Sequence, residues 1–67
     1  MKLSIVIPAY NEEQNIGRCL DELRETISRH QIAYEFIVVN DNSHDGTERI
    51  VRDQMRSDPG VRLVNRT

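Results

Sequence analysis

The stretch Glu35-Phe36-Ile37-Val38-Val39-Asn40-Asp41-Asn42-Ser43-His44-Asp45-Gly46-Thr47 decides the fold of this chain. Its first half is a run of aromatic and β-branched residues, which is typical of a strand buried on both faces of a sheet. Its second half is polar and ends near a glycine. The pattern predicts a central strand over residues 35–40, covered by helices on both sides, and a functional loop over residues 41–46.

The residues before this stretch predict a strand and a helix. Residues 3–7 are dense in β-branched side chains and stop at Pro8, which cannot donate to a sheet ladder, so we expect a buried strand that ends there. Asn11 is a suitable N-cap, with Gln14 as its capping-box partner, for a helix that starts near residue 12. One apolar stripe at helical spacing is expected to pack on the sheet: Ile16, Leu20, Leu23 and Ile27, with Cys19 beside them.

The residues after the central stretch predict a second helix and a third strand. Asp45 or Thr47 can cap a short helix, which is broken by Asp58-Pro59-Gly60. Residues 61–65 then indicate a strand whose carboxyl end falls at residues 66–67. The connections are long enough for right-handed crossovers, so the fold class is α/β with a β-α-β-α-β parallel, three-stranded, Rossmann-like half.

Composition excludes several classes of function. The 67 residues carry a net charge of −2 with both signs interspersed, which lacks the basic footprint of a nucleic-acid-binding protein. A single cysteine forms no internal disulfide, and this indicates a reducing compartment, the cytoplasm. No apolar stretch approaches the roughly 20 residues that span a bilayer.

The carboxyl ends of parallel strands meet at one edge of a sheet, so residues 8–12, 40–47 and 66–67 should converge. A carboxylate after a buried strand is costly unless hydrogen-bonded, so Asp41 either ties its own loop together or meets a ligand, and we favour the ligand. Tyr10 offers either a ring face to that ligand or a lid over the sheet edge. The free amides of two helix starts should also favour anions there, although no glycine-rich phosphate motif is present.

The loop after the central strand also admits other interpretations. Asp45 alone could be a helix cap or part of a turn with Gly46. The same loop imitates the start of a calcium-binding EF-hand, but Arg52 stands where a bidentate glutamate is required. His30 and His44 have no nucleophile or metal-ligand partner in the sequence and receive no role.

Two motifs of the chain together resemble a known enzyme family. Residues 4–13, SIVIPAYNEE, and residues 37–47, IVVNDNSHDGT, are similar to the opening of the family 2 glycosyltransferases, and the likeness covers essentially the whole chain. The resemblance implies a GT-A fold, of which residues 1–67 would be the amino-terminal, nucleotide-sugar-binding part of a single truncated domain. The ending Asp45-Gly46-Thr47 also resembles the polyprenyl- and dolichol-phosphate sugar transferases.

The resemblance implies an inverting transfer of a sugar from a UDP- or GDP-sugar. Asp41 would hydrogen-bond the base, uracil or guanine. Where the family often has an acidic pair followed by glycine, this chain has Asn40, Asp41 and Asn42, and asparagine tolerates the positive φ that glycine would supply. The first loop would line the nucleotide site with four residues, Pro8, Ala9, Tyr10 and Glu12.

The resemblance also implies parts that these 67 residues do not contain. The family holds Mg²⁺ or Mn²⁺ on the diphosphate through a D-x-D motif, and a carboxylate base activates the acceptor. We therefore expect no catalytic or metal-ligating residue here and no transferase activity of the isolated chain. The acceptor would be a polyprenyl phosphate, a glycan or another molecule, and membrane association, at the cytoplasmic face, would come only through a region beyond residue 67. The alternative function is a non-catalytic, flavodoxin-like nucleotide- or metal-binding or signalling module.

Overall fold

The computed structural model describes residues 2–66 and confirms the predicted order of elements. The three strands are parallel, with the second strand in the middle of the sheet. The predicted end of the third strand at Thr67 lies outside the described residues. The elements are β1 (Lys2–Ala9), α1 (Ile16–Arg29), β2 (Ala33–Asp41), α2 (Thr47–Ser57) and β3 (Val61–Arg66).

Both helices lie on the same face of the sheet. In β2, Phe36, Val38 and Asn40 are buried, whereas the residues between them are only half-buried. Because successive side chains of a strand point to opposite faces, the core occupies one face. The expected cover on both faces is therefore wrong for the described residues. The strands lie in the sheet in their chain order, and two right-handed crossovers in the same direction place both helices on one side.

The core on the covered face is formed by the predicted apolar stripe of α1, one residue of α2 and the inner residues of the strands. Leu20, Phe36, Val38 and Val51 are fully buried. Leu23 is partly buried against them. The remaining buried apolar residues are Ala9, Ile16, Ile27 and Val61.

The opposite face of the sheet, here called the open face, is largely exposed. Val6 is 61% and Val64 is 45% exposed, on either side of the half-buried residues of β2. Glu35 lies on the same face and forms ion pairs with Lys2 and Arg62 at 3.8 and 2.7 Å. The open face therefore mixes apolar side chains with charges that are already paired.

Several element boundaries differ from the prediction. Strand β2 spans Ala33–Asp41 rather than residues 35–40, so Asp41 is its last residue, and the end of β1 and the start of α1 differ for local reasons. Strand β1 continues through Pro8 to Ala9, because an edge strand tolerates a residue without an N–H. Helix α1 begins at Ile16, four residues later than expected, and its N-cap residue, Asn15, makes no side-chain hydrogen bond. The predicted capping box at Asn11 is wrong, since Asn11 adopts a left-handed φ of 51° and interacts elsewhere.

A cluster of polar side chains joins the elements at the amino-terminal end of β2. Arg24 Nε and the Tyr34 hydroxyl both donate to Asp58 Oδ2 at 2.7 Å. The Gly60 amide donates to Asp58 Oδ1, and Arg24 also donates to Gln54. Arg24 thus connects α1 to α2 and to the turn before β3.

Among residues 2–66, no helix is both long and apolar enough to cross a membrane.

Candidate functional site at the carboxyl edge of the sheet

Tyr10 and Asp41 lie next to each other at the carboxyl edge of the sheet. Ala9 and Asn40 are paired in the β1–β2 register, and Tyr10 and Asp41 are the residues that follow them. Both are exposed, Tyr10 to 58%. The structure therefore brings together the two positions that the sequence singled out, although they are 31 residues apart in the chain.

The loop after β1 is hydrogen-bonded to the loop after β2 directly beyond these two residues. The Asn11 amide donates to Ser43 Oγ at 2.9 Å, and the His44 amide donates to Asn11 Oδ1 at 2.9 Å. Asn42, like Asn11, has a positive φ, here 57°. The expectation that Asn42 could replace glycine in this turn is thus confirmed, and Asn11 makes a second turn of the same kind.

A second group of hydrogen bonds continues the connection toward α2. The Glu12 amide donates to Thr47 Oγ1 at 2.8 Å, and the Glu13 amide donates to Asp45 Oδ2 at 3.1 Å. In the other direction, the Gly46 amide donates to Glu13 Oε1 at 2.8 Å. We call the five hydrogen bonds between residues 11–13 and 43–47 the loop clasp. It confirms the expected convergence of the first two loops.

Asp45 is a structural member of the loop clasp. Its Oδ1 accepts hydrogen bonds from the Thr47 hydroxyl and from the Thr47 amide, the first residue of α2. The bond from the Thr47 hydroxyl and those from the Thr47 and Glu13 amides hold the pKa of Asp45 below its ordinary value, and the small opposing effect of burial does not cancel them. Asp45 therefore stays ionised in its role of joining the loops to the helix start.

Carboxylates already surround the start of α2. The amides of Gly46 and Thr47 donate to the carboxylates of Glu13 and Asp45. Glu48, in the first turn of α2, adds a third negative charge. Since an anion is attracted to a helix start by free amides and by the positive end of the dipole, these carboxylates oppose both attractions.

The other predicted site residues occupy different environments. Pro8 is exposed in β1 on the open face, two residues before Tyr10. Ala9 is 2% exposed and belongs to the core, so its side chain cannot line a solvent-accessible site. Glu12 is half-buried, and its backbone carbonyl accepts the amides of Asn15 and Ile16 in a single turn before α1.

Asn40 lies beside Asp41 but faces the core. It is 4% exposed, and its Nδ2 donates to Asn65 Oδ1 at 3.0 Å on β3. Asn40 Oδ1 is buried without a partner among residues 2–66. On the open face, Asp41 instead has Arg66 as its register partner in β3. The third strand thus contributes one amide and one guanidinium to the edge.

The loop clasp was not predicted from the sequence, because it depends on pairs of residues more than 30 positions apart. The pattern predicts local helix capping for Asn11, which is wrong, and for Asp45, which does accept the Thr47 amide at the start of α2 but also accepts the Glu13 amide. The usable signal was the concentration of short polar residues in both loops, which predicted that the loops converge but not which atoms pair.

The metal implied by the resemblance finds no built site in the described part of the chain. Residues 2–66 contain no group of three or more His, Cys, Asp or Glu side chains that could hold a metal ion. The three carboxylates near the start of α2 are occupied by hydrogen bonds or an ion pair: Glu13 with Gly46, Asp45 with Thr47, and Glu48 with Arg52.

Comparison with models of protein families assigns the chain to one family. The model of glycosyl transferase family 2 matches residues 4–67. The chain belongs to this family. The match includes both loops of the candidate site, and family 2 membership identifies the segment as part of a glycosyltransferase.

Relatives of this family 2 segment are themselves named glycosyltransferases. An uncharacterized glycosyltransferase of Synechocystis sp. is 42% identical over 97% of this chain and 20% of that protein. A dolichyl-phosphate beta-glucosyltransferase of Trichomonas vaginalis is 38% identical over 94% of this chain and 21% of that protein. A poly(ribitol-phosphate) beta-glucosyltransferase of Bacillus spizizenii is 40% identical over the whole chain and 10% of that protein. The chain thus spans at most about a fifth of the length of these relatives.

Proposed function

We propose that residues 1–67 are the part of an inverting glycosyltransferase that binds the base and ribose of a UDP- or GDP-sugar. One observation carries this proposal: Tyr10 and Asp41 are exposed neighbours at the carboxyl edge of a parallel sheet, where open α/β sheets bind their ligands. In this role Tyr10 presents its ring to the base, and Asp41 hydrogen-bonds the base edge.

The chemistry of Asp41 favours two bases. An ionised carboxylate only accepts hydrogen bonds. Uracil and guanine each carry an N–H on a ring nitrogen of the pairing edge, whereas cytosine and adenine have a lone pair at the corresponding nitrogen. A carboxylate attracts the first pair and repels the ring nitrogen of the second pair, so UDP- and GDP-sugars fit this edge better than CDP- or ADP-sugars.

The negative charge of the diphosphate requires a positive charge nearby, which the described residues do not supply. The start of α2 is surrounded by the carboxylates of Glu13, Asp45 and Glu48. A divalent metal held elsewhere in a longer protein would provide the positive charge, as it generally does in family 2 enzymes. The base that activates the acceptor would also lie outside these residues, so no transferase activity is expected of the 67-residue chain alone.

For the acceptor we propose a polyprenyl phosphate, at the cytoplasmic face of a membrane. Two relatives support this choice by name, a dolichyl-phosphate beta-glucosyltransferase and a prophage bactoprenol glucosyl transferase homolog of Escherichia coli. The poly(ribitol-phosphate) beta-glucosyltransferase represents the competing choice, a phosphate-containing polymer. Sugar transfer by the longer protein to undecaprenyl phosphate, compared with transfer to a ribitol-phosphate polymer, separates the two.

The binding part of the proposal is tested on the chain itself. ¹⁵N-labelled protein is titrated with UDP, GDP, CDP and ADP, and backbone amide shifts are followed by NMR. We expect UDP or GDP to shift the amides of Tyr10, Asn11, Asp41 and Asn42, with weaker effects of CDP and ADP. Shifts confined to the far end of α2, around Asp53, or no saturable shift with any nucleotide, would contradict the proposal.

A further inference from the structure

We propose that Asn11 is a positioning residue, which ties the loop after β1 to the loop after β2 and so holds Tyr10 and Asp41 at a constant separation. This role rests on the proposed function, because only a shared ligand makes the separation of these two side chains important. Asn11 itself need not touch the ligand.

The two side chains are anchored on both of their flanks. On one flank, Ala9 and Asn40 are joined by the sheet register. On the other flank, Asn11 is joined to Ser43 and His44 by its amide and its side-chain oxygen, both at 2.9 Å. Tyr10 and Asp41 therefore lie inside a closed ring of chain. Opening either flank would free one residue to move relative to the other.

Asn11 suits this position for two separable reasons. Its φ of 51° is left-handed, a conformation that asparagine and glycine adopt more readily than other residues. Its Oδ1 accepts the His44 amide, which an aliphatic side chain could not do. Glycine would preserve the first property and lose the second, and aspartate would retain both.

The rest of the loop clasp reinforces the ring but lies farther from the two side chains. Gly46 shows how closely the loops approach: a Cβ at this position would lie 3.0 Å from Glu13 Cδ. Because Glu13, Asp45 and Thr47 connect the loops nearer to α2, loss of the Asn11 contacts is expected to loosen the edge without separating the loops completely.

The test compares three substitutions of Asn11 in the 67-residue chain, Asn11→Asp, Asn11→Gly and Asn11→Ala. The matched control is Asn15→Ala, since Asn15 is an exposed asparagine without a side-chain capping bond. Circular dichroism first identifies a temperature at which every variant is folded. At that temperature, affinity for UDP and GDP and hydrogen exchange of the His44 amide are measured by NMR.

We expect the control to bind like the wild type, and we expect Asn11→Asp to keep slow exchange of the His44 amide, because its carboxylate still accepts that hydrogen bond. Asn11→Gly should bind about 3- to 10-fold more weakly, the loss that one net hydrogen bond represents, and its His44 amide should exchange faster. Asn11→Ala should show the same loss and also unfold at a lower temperature. Should Asn11→Gly fail to fold, Ser43→Ala removes the acceptor of the Asn11 amide and Ser43→Thr restores it, with the same expected loss and rescue.

The two proposals fail in different ways. Binding by Asn11→Gly and Ser43→Ala that equals wild-type binding would overturn the role of Asn11 and leave the proposed function intact. Absence of UDP and GDP binding by the folded wild type would overturn both.

Discussion

At the scale of single residues, Asp41 is the side chain on which base recognition depends. Its carboxylate is exposed at the edge and has no hydrogen bond to another residue within 2–66, so it is free to accept one from a ligand. Its register partner on β3 is Arg66, so a cationic residue lies on the neighbouring strand at this edge.

The substitution Asp41→Asn is expected to weaken UDP and GDP binding by about 10- to 100-fold, because a hydrogen bond to a charged group contributes about 1.5–3 kcal/mol. The preference for UDP and GDP over CDP should also decrease, since the amide of the variant can donate to the unprotonated ring nitrogen of cytosine. Calorimetric titration of the four nucleotides measures both effects. Asp53→Asn, an exposed aspartate on α2, is the control, and equal affinities of the Asp41 variant and this control would contradict the assignment.

Two glycines of the chain should respond in opposite ways to alanine. Gly46→Ala is expected to lower the free energy of unfolding by about 1 kcal/mol, because the new Cβ would displace the Glu13 carboxylate from the Gly46 amide. Gly17→Ala is expected to raise it by up to about 1 kcal/mol, since alanine restricts the unfolded chain and its Cβ would make only an ordinary 3.5 Å contact with Ile50 from the first turn of α1. Urea unfolding of both variants measures the difference, and changes of the same sign would contradict this interpretation.

Asn11 shows why the site was only partly predictable at this scale. A sequence offers asparagine as a local cap, and the amides of a following helix are its obvious partners. The structure instead pairs Asn11 with Ser43 and His44, which are brought near by the parallel register of β1 and β2. Whether Asn11 binds local or distant partners therefore depends on the assembled sheet, which the sequence alone does not display.

At the scale of elements, Asp58 joins both helices to the sheet end opposite the candidate site. Burial alone would raise the pKa of Asp58, but hydrogen bonds from Tyr34, the Gly60 amide and Arg24 outweigh burial and leave the pKa below its ordinary value. Burial and the bond to Asp58 also raise the pKa of Tyr34, which therefore remains a neutral donor near pH 7.

The Asp58 carboxylate should make stability depend on pH. Because its pKa is lowered by folding, its contribution is complete above the unfolded pKa of about 4 and is lost as the pH falls through the lower, folded value. We expect Asp58→Asn to be less stable than the wild type by about 1–3 kcal/mol at pH 7, with a difference that shrinks below about pH 4. Thermal unfolding of both proteins at pH 7, 5, 4 and 3 measures this difference in stability. A difference that increased as the pH fell would contradict the prediction.

The elements themselves were predictable to different degrees. Strand β2 and the stripe Ile16–Leu20–Ile27 follow from short-range periodicity and were confirmed. The start of α1 and the role of Arg24 were not, since each depends on partners in other elements. Arg24 binds Asp58, which lies 34 residues away in the chain.

At the scale of the whole molecule, the helices cover one face of the sheet and leave the other open. The sequence predicted a parallel β-α-β-α-β unit, which is confirmed. It did not predict that both helices share a face, because the apolar run in β2 is equally suited to one-sided and two-sided cover. The half-buried Ile37 and Val39 belong to that run and lie on the open face.

The open face should make the 67-residue chain associate with itself at high concentration, since exposed apolar patches favour association. Replacing Val6 and Val64 together by threonine retains the β-branched shape and adds hydroxyls, so the double variant should associate more weakly. Analytical ultracentrifugation between low and high micromolar concentration measures the effect. A wild type that sediments as a monomer throughout this range would contradict the prediction.

Pro8 makes the two edges of the sheet differ in their backbone hydrogen-bond donors. Strand β1 is an edge strand, and Pro8 within it has no amide hydrogen. A strand added beside β1 would therefore lack one hydrogen-bond donor at this position. The edge at β3, spanning Val61–Arg66, contains no proline, so no amide hydrogen is missing from it. A further strand should therefore add to the sheet beside β3. If it adds beside β1, it should adopt a register in which no carbonyl of the added strand faces Pro8.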